Sequence, residues 1–333
     1  MAKNVTMSDI AEELGVSTVS VSKALTDREG VSDEVRKKVK QKAEEMGYRY
    51  NSSAKAMKEG VNGNIGILVA DRFFEDNSFY NKLYRNVIMR LHEIGCFGVL
   101  EILTEEQEEL GRLPNIISNN KIDGLIIMGQ VHDKYLEELK ETGIPNVFLD
   151  FYNESAGVEC IISDGSYGSY CLTNYLIQMG HKEICFVGNI YSTSSIMDRF
   201  LGYYKSMLQH GLSCDLDHVI SDRDERGKFM DLELPEKMPT AFVCNCDQIA
   251  YELLRKLKAL KYRVPDDISV VGFDDYIYST LSEPALTTFR INMVQMANAA
   301  VSVIAKKIKD DKYVMGRKVI GGDIIIRDSV KHY

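Results

Sequence analysis

Hydrophobic residues in the first 48 positions follow helical spacing on both sides of Gly15. They form small apolar faces, made by Ile10, Ala11 and Leu14 before the glycine and by Val21 and Leu25 after it. Gly15 supplies a turn conformation that a residue with a Cβ resists. The pattern therefore predicts two short helices joined by a tight turn, which is the arrangement of a helix-turn-helix.

Polar residues stand where helix N-termini need caps. Thr6 and Asp9 form a Ser/Thr-x-x-acidic capping pattern, and Ser17 precedes the second helix. Ser32 opens a third helix that ends at Gly47, with apolar residues at Val35, Val39, Ala43 and Met46. Residues 1–48 are thus predicted to form a three-helix domain.

The outward face of the second helix carries Thr18, Val19, Ser22 and Lys23. Solvated helix faces favour Lys and Glu, whereas this one is built from short side chains. Short side chains allow a helix backbone to approach base edges in the major groove. The face is typical of DNA recognition, and the alternative is an ordinary helical hairpin with a solvated surface.

From Ile65 onward, short apolar runs alternate with helix-length segments. The predicted strands are 65–70, 97–103, 122–129, 147–151, 184–188, 240–245 and 268–274, with helices near 79–94, 105–119, 133–142, 166–179, 196–210 and 247–260. The acidic run at 105–109 is interpreted as the solvated first turn of its helix. This alternation predicts two doubly wound parallel α/β lobes that bind a ligand at the carboxyl ends of their strands.

Charge is distributed unevenly along the chain. The net charge is −9, but residues 1–60 carry 11 Lys and Arg against 10 Asp and Glu, a net of +1. The remaining residues carry 29 against 39, a net of −10. Only the first segment, with basic residues clustered from Arg36 to Lys42, can approach phosphates without strong repulsion.

Several protein classes are excluded by what the sequence lacks. No run approaches the roughly 18 to 20 apolar residues of a membrane span, and MAKNVTMSDI has no apolar signal region. Seven cysteines lack metal-binding spacing, and the closest pair, Cys244 and Cys246, lies in an apolar run. These observations predict reduced, mostly buried thiols in a cytoplasmic protein. Without nucleotide-binding, hydrolase or metalloprotease motifs, we expect neither an enzyme nor a cofactor or metal.

The run V-T-x-x-D-I-A-x-x-x-G-V-S-x-x-[ST]-V-S-[KR], which begins at Val5, closely resembles the DNA-binding headpiece of the LacI/GalR family of bacterial transcriptional regulators. The segments QMGHKEICFVGN, DRFLGYYKSMLQHGL, PTAFVCNCDQIAYELLRKL, VPDDISVVGFDD and PALTTFRIN resemble the family's core landmarks in the expected order. The resemblance implies a fold of periplasmic-binding-protein type behind the headpiece. It implies a headpiece at 1–48, a hinge helix or linker at 49–63, one effector-binding subdomain at 64–162 with 292–321, and a second at 163–291 with 322–333.

The predicted DNA contacts combine the exposed helix face with the hinge that the resemblance implies. They are Thr6, Ser17, Thr18, Val19, Ser20, Ser22 and Lys23 in the headpiece and Asn51, Ala54 and Met57 in the hinge. Thr18, Val19 and Ser22 are predicted to meet base edges, whereas Thr6, Ser17 and Lys23 are predicted to hold phosphates, with a guanine as the alternative partner of Lys23. Two hinge positions depart from the family pattern: Tyr50 replaces a usual Pro, and Met57 replaces a usual Leu as the minor-groove wedge.

The predicted effector contacts lie at strand ends or in the segments that follow them. They are Phe79, Asp150, Arg199, Asn245 and Asp274, with Phe74, Tyr80 and Tyr152 as further candidates. Phe79, Arg199 and Asp274 match ligand-contacting positions of the family, while Cys246 stands where the family usually has Asn. The alternative for the charged residues is a helix cap or an ion pair between lobes.

These features predict a sequence-specific repressor that binds a near-palindromic operator as a homodimer. A small molecule between the lobes, a neutral sugar or oligosaccharide, is expected to control its operator affinity. Two alternatives stay open: a receptor-like sugar-binding module without DNA output, and a regulator that responds to a protein co-effector.

Overall fold

A computed structural model describes residues 5–48, 62–74, 78–153, 159–224 and 227–333. The chain divides into two compact units, Met1–Asn62 and Gly63–Tyr333. The predicted hinge contacts Asn51, Ala54 and Met57 lie outside the described residues.

Within residues 5–48, the first unit contains three helices: α1 (Met7–Leu14), α2 (Thr18–Leu25) and α3 (Asp33–Glu45). The predicted capping box is confirmed, because the Thr6 hydroxyl accepts from the Asp9 amide and the Asp9 carboxylate accepts from the Thr6 amide. Gly15 ends α1 in the left-handed conformation, with φ of 62°. A separate small core holds the helices together, formed by Ile10, Ala11, Val21, Ala24, Val39 and Ala43.

The second unit begins with a six-stranded parallel sheet in the order β11-β5-β4-β3-β1-β2. Its strands are β1 (Asn64–Ala70), β2 (Phe97–Leu103), β3 (Gly124–Met128), β4 (Asn146–Leu149), β5 (Cys160–Ser163) and β11 (Arg317–Ile320). The helices between these strands are α4 (Ser78–Glu93), α5 (Glu105–Glu109), α6 (Asn115–Ser118) and α7 (Asp133–Glu141). A later helix, α12 (Met293–Lys309), packs on β3, β4 and β5.

A four-stranded parallel sheet in the order β7-β6-β8-β9 follows. It consists of β6 (Ile184–Val187), β7 (Val219–Ile220), β8 (Ala241–Cys244) and β9 (Ser269–Val271), with helices α8 (Gly165–Gln178), α9 (Ser194–Gln209), α10 (Asp247–Ala259) and α11 (Ile277–Leu281). Strands β10 (Thr288–Ile291) and β12 (Gly322–Ile325) form an antiparallel pair. The predicted doubly wound α/β architecture is confirmed.

Three details of the sequence prediction were wrong. The single helix expected at 105–119 is two short helices, because Gly111 adopts a left-handed φ of 64° and Pro114 follows it. Strands β5, β7, β10 and β11 were not among the predicted strands. The cysteines are all unpaired, but only three of the seven are buried and the others are half-buried.

The chain passes between the sheets after β5, after β10 and between β11 and β12. Strand β5 ends at Ser163, β10 ends at Ile291, and only Gly321 separates β11 from β12. The exact subdomain boundaries, 64–162 with 292–321 and 163–291 with 322–333, stay a prediction. Across the described segments, no helix combines the length and the hydropathy that a membrane span requires.

Candidate functional site

The outward face of α2 has the exposure that DNA recognition needs. Val19 is 62% exposed although it is apolar, and Thr18 beside it is also exposed. Ser17 caps the helix through its hydroxyl, which accepts from the Ser20 amide at 3.1 Å and lies 2.9 Å from the Ser20 hydroxyl. An apolar side chain that is left in water on an otherwise polar helix face suits contact with a thymine methyl group.

Other predicted DNA contacts already have partners within the headpiece. The Thr6 hydroxyl donates to Asp9 at 2.7 Å, and Ser22 is half-buried. Lys23 folds toward the following loop, where a Cβ added to Gly30 would lie 2.9 Å from its ammonium nitrogen. Phosphate contacts from Thr6 and Lys23 therefore stay predictions that require these local contacts to rearrange.

A cavity between the two sheets brings the five predicted effector residues together. Phe79, Asp150, Arg199, Asn245 and Asp274 all line it, and it encloses about 60 Å³. Asp150 follows β4 directly, and the other polar residues come from the ends of β8 and β9 and the first turns of α9. Carboxyl ends of parallel strands meet at one edge of a sheet, which explains why residues far apart in sequence converge here.

Arg199 is held by several contacts and is only 5% exposed. Its guanidinium donates to the Asn245 carbonyl at 2.5 Å and to Asp274 at 3.3 Å. The guanidinium also lies over the Phe273 ring, 4.1 Å from the centroid. These contacts use both terminal nitrogens, while the buried Nε has no hydrogen-bond partner.

Asp150 faces the cavity with one carboxylate oxygen bonded and the other unbonded. Oδ2 accepts from the Tyr80 hydroxyl at 2.9 Å, and the buried Oδ1 has no hydrogen-bond partner. Burial raises the pKa of Asp150 to about 6, although the nearby Arg199 opposes the rise. Burial likewise raises the pKa of Asp274 to about 7, with Asp150 adding to the effect and Arg199 opposing it.

Asn245 is held by the protein on the wall of the cavity. Its amide nitrogen donates to the Val187 carbonyl at 3.0 Å and to Asp222 at 2.8 Å. Asp222 also binds Arg223, whose guanidinium lies over the Phe229 ring. Both amide hydrogens of Asn245 are therefore used, and a predicted ligand contact would have to involve its Oδ1, which accepts from Arg223 at 3.4 Å.

Sequence reasoning missed part of the cavity wall, and two of its further candidates do not line the cavity. Arg223 and Phe229 line the cavity but follow β7, which is too short at two residues to be recognised as a strand. Of the further candidates, Tyr80 lines the cavity, whereas Phe74 packs against Tyr84. Tyr152 instead bonds to Asp198 at 2.9 Å.

Cys246 replaces the usual family Asn and also lines the cavity. Burial raises the pKa of its thiol to about 12, so the side chain is neutral near pH 7. Among the residues that the structure describes, no cluster of three or more His, Cys, Asp or Glu side chains could hold a metal ion.

Comparison with known proteins finds matches for both parts of the chain. Residues 6–51 match the model for "Bacterial regulatory proteins, lacI family", and residues 173–330 match the model for a "Periplasmic binding protein-like domain". The transcriptional regulator RegA of Clostridium saccharobutylicum is 30% identical, with 96% of this chain and 98% of RegA covered. The chain belongs to the lacI family. It is a DNA-binding transcriptional regulator, and not an enzyme.

Other relatives of this lacI-family regulator span nearly its whole length. The transcriptional repressor PurR of Vibrio campbellii is 27% identical, with 98% of each chain covered. A lac repressor dimer bound to operator and the anti-inducer ONPF has the same fold, with a TM-score of 0.81, 22% identity, and coverage of 99% of this chain and 100% of the other. A CelR–cellobiose complex gives a TM-score of 0.70 at 22% identity over 98% and 100% of the two chains.

Replacing Val19 with Ser should change which operator the regulator prefers without affecting its fold. Val19 lies outside the headpiece core, so the free energy of unfolding should change by less than about 0.5 kcal/mol. The difference in binding free energy between operators that differ at one base pair should change by about 1 to 3 kcal/mol. Titration of single-base operator variants measures this difference. Lys38→Ala is the control and should weaken binding to every sequence alike. If each variant changes the affinity for every operator sequence by one common factor, Val19 does not read a base.

Proposed function

We propose that this regulator is a repressor whose operator affinity is set by a neutral, hydroxyl-rich small molecule, such as a sugar, bound in the cavity between the sheets. The observation that carries the proposal is the pair of unbonded buried atoms, Asp150 Oδ1 and Arg199 Nε. Buried polar groups without partners are costly to the folded state. A hydroxyl group of a ligand can accept a hydrogen bond from Arg199 Nε and donate one to Asp150 Oδ1. Phe79, Phe229 and Tyr276 add aromatic surface for the apolar face of a sugar ring.

The charge of the cavity supports a neutral ligand over a phosphorylated one. Asp150 and Asp274 both face the cavity, and Arg199 is already bonded to Asp274. The second cation, Arg223, is bonded to Asp222. A phosphate would meet three carboxyl groups, since Asp247 also lines the cavity, and both arginines are already paired with carboxylates, which costs affinity. The CelR neighbour, which was solved with cellobiose, is consistent with a sugar ligand.

The same proposal includes a homodimer on a near-palindromic operator. Strand β2 is the edge of the six-stranded sheet and carries Phe97, which is 63% exposed. Met89 and Ile94 are further exposed apolar residues at the end of α4 and in the turn after it. An open edge with apolar neighbours is a surface that proteins usually cover, and a second copy of the chain fits the dimer described for the lac repressor.

We infer that the ligand acts on DNA through the segment that enters β1. The amide of Gly63 donates to Asp123 at 2.6 Å, and the Phe97 amide donates to the Gly63 carbonyl at 3.0 Å. Residue 63 therefore moves with the six-stranded sheet. A ligand that changes the angle between the sheets would shift the point from which each subunit's linker leaves. Such coupling is typically worth 1–3 kcal/mol, or about 5- to 150-fold in operator affinity.

A thermal-denaturation screen of the full chain tests the ligand class. The panel holds neutral mono- and disaccharides, the phosphorylated forms of the same sugars as matched controls, and free nucleobases. We expect a neutral sugar to stabilise the protein, by about 2.7 kcal/mol at 100 times its Kd. Stabilisation by nucleobases or sugar phosphates alone would show that the ligand class is wrong. If nothing stabilises a chain that still binds operator, the protein co-effector is favoured.

A further inference from the structure

The acidic run Glu105–Glu109 contains one carboxylate that is not solvated, contrary to the sequence interpretation. Glu108 is 3% exposed. It accepts from both terminal nitrogens of Arg72, at 2.5 and 3.2 Å, and from the His132 amide at 2.6 Å. A buried carboxylate requires partners of this kind, because removing a charge from water is costly. The pair therefore fixes Arg72 firmly in the loop after β1.

Arg72 in turn fixes the segment that follows β3. Its guanidinium donates to the Gln130 carbonyl at 2.7 Å, in addition to its bonds with Glu108. Arg72 also lies near the loop after β7, since a Cβ added to Gly227 would be 3.5 Å from its Cδ. The main chain of Gln130 is thus held on the side of the six-stranded sheet by a partly buried ion pair.

The side chain of Gln130 reaches the start of α9, a helix that belongs to the lobe of the four-stranded sheet. Its Oε1 accepts from the amide of Ser194, the first residue of α9, at 3.2 Å. The Ser194 hydroxyl accepts from the Tyr152 amide after β4 at 3.3 Å. Helix α9 carries Arg199 into the cavity, so both bonds tie the start of this helix to the six-stranded sheet.

We propose that Gln130 is a clasp between the two lobes, held in position by Arg72 and Glu108, that favours the closed form of the effector cleft. The proposal rests on the cleft being the effector site proposed above. The cavity encloses about 60 Å³, well below the roughly 300 Å³ or more of typical ligand pockets, so a sugar-sized molecule enters only when the lobes separate. Separation must break the Gln130–Ser194 hydrogen bond. The clasp therefore sets how often the cleft opens, and with it the rates of effector entry and release.

Alkylation of Cys246 in the full chain measures this opening without any effector. Cys246 lines the cavity, and Cys96, between α4 and β2, serves as an internal reference, because both thiols are half-buried. Iodoacetamide is added for a series of short times, and modification at each cysteine is quantified by peptide mass spectrometry. Gln130→Ala should raise the Cys246 rate about 2- to 10-fold, the effect of one neutral hydrogen bond, and leave the Cys96 rate unchanged.

Gln209→Ala is the matched control, since it makes the same change at an exposed position at the end of α9. It should alter neither rate. Glu108→Gln tests the positioning role and should raise the Cys246 rate in the same direction as Gln130→Ala. A Gln130→Ala protein with wild-type labelling at Cys246, or with equal acceleration at Cys246 and Cys96, would overturn the clasp. Because no sugar is present, this result is independent of the ligand screen.

Discussion

Replacing Asp150 with Asn is expected to stabilise the protein at pH 8 and to weaken effector binding about 10- to 100-fold. Burial raises the pKa of Asp150 from 3.8 to about 6, so the ionised side chain costs the folded state about 3 kcal/mol above pH 6. An Asn side chain keeps an acceptor for Tyr80 and removes the charge. The effector, however, loses the carboxylate oxygen that accepts its hydroxyl, a charged hydrogen bond worth about 1.5 to 3 kcal/mol.

The pH dependence gives this prediction a definite sign. A carboxyl group whose folded pKa is raised destabilises the protein most at high pH. That penalty shrinks as the pH falls through about 6 and disappears below the unfolded pKa of 3.8. The stabilisation by Asp150→Asn should therefore be larger at pH 8 than at pH 5 in chemical denaturation. Asp311→Asn is an exposed control that should change neither stability nor affinity. Equal stabilisation at both pH values would contradict burial of the charge at Asp150.

Removing residues 1–62 is expected to abolish operator binding and to leave a folded, effector-binding body. The headpiece and the body have separate cores, and the division between compact units falls at residue 62. The body lacks the exposed helix face with Val19. Its sequence carries an excess of acidic residues, so its residual affinity for DNA should be negligible. Fluorescence anisotropy with labelled operator, calorimetry with the effector, and a thermal melt measure the three properties.

This truncation tests both the assignment of the recognition face and the independent stability of the body. Retained operator affinity in residues 63–333 would show that the recognition face had been misassigned. A truncated body that melts at a much lower temperature than the second transition of the full chain would show that the headpiece contributes to the body's stability. Neither result is expected from two units with independent cores.

Local signals in the sequence determined what could be predicted. The Thr6–Asp9 capping box and Gly15 act within a few residues, so their pattern identified α1 and its end correctly. The long alternation of strands and helices likewise predicted parallel α/β sheets, because each element has its own periodicity. The convergence of Asp150, Arg199 and Asp274 followed from the rule that strand ends meet at one edge.

What the sequence could not reveal depends on partners that are distant along the chain. Glu108 looks like one of several solvated acids, and its burial is explained by Arg72, 36 residues earlier, together with the His132 amide. Arg223 lines the cavity and follows β7, a strand of two residues that is too short to show a periodicity in the sequence. Asn245 was predicted from its place at a strand end, but its commitment to Asp222 and Val187 becomes visible only when the sheets are assembled.

The most direct test of the account is the operator affinity of the full chain with and without the sugar identified in the screen, at one fixed salt concentration. The account predicts that the sugar changes the operator Kd by about 5- to 150-fold. It also predicts that Asp150→Asn binds operator as the wild type does but no longer responds at the same sugar concentration. A sugar that binds the wild-type cleft and leaves its operator Kd unchanged would contradict the central claim.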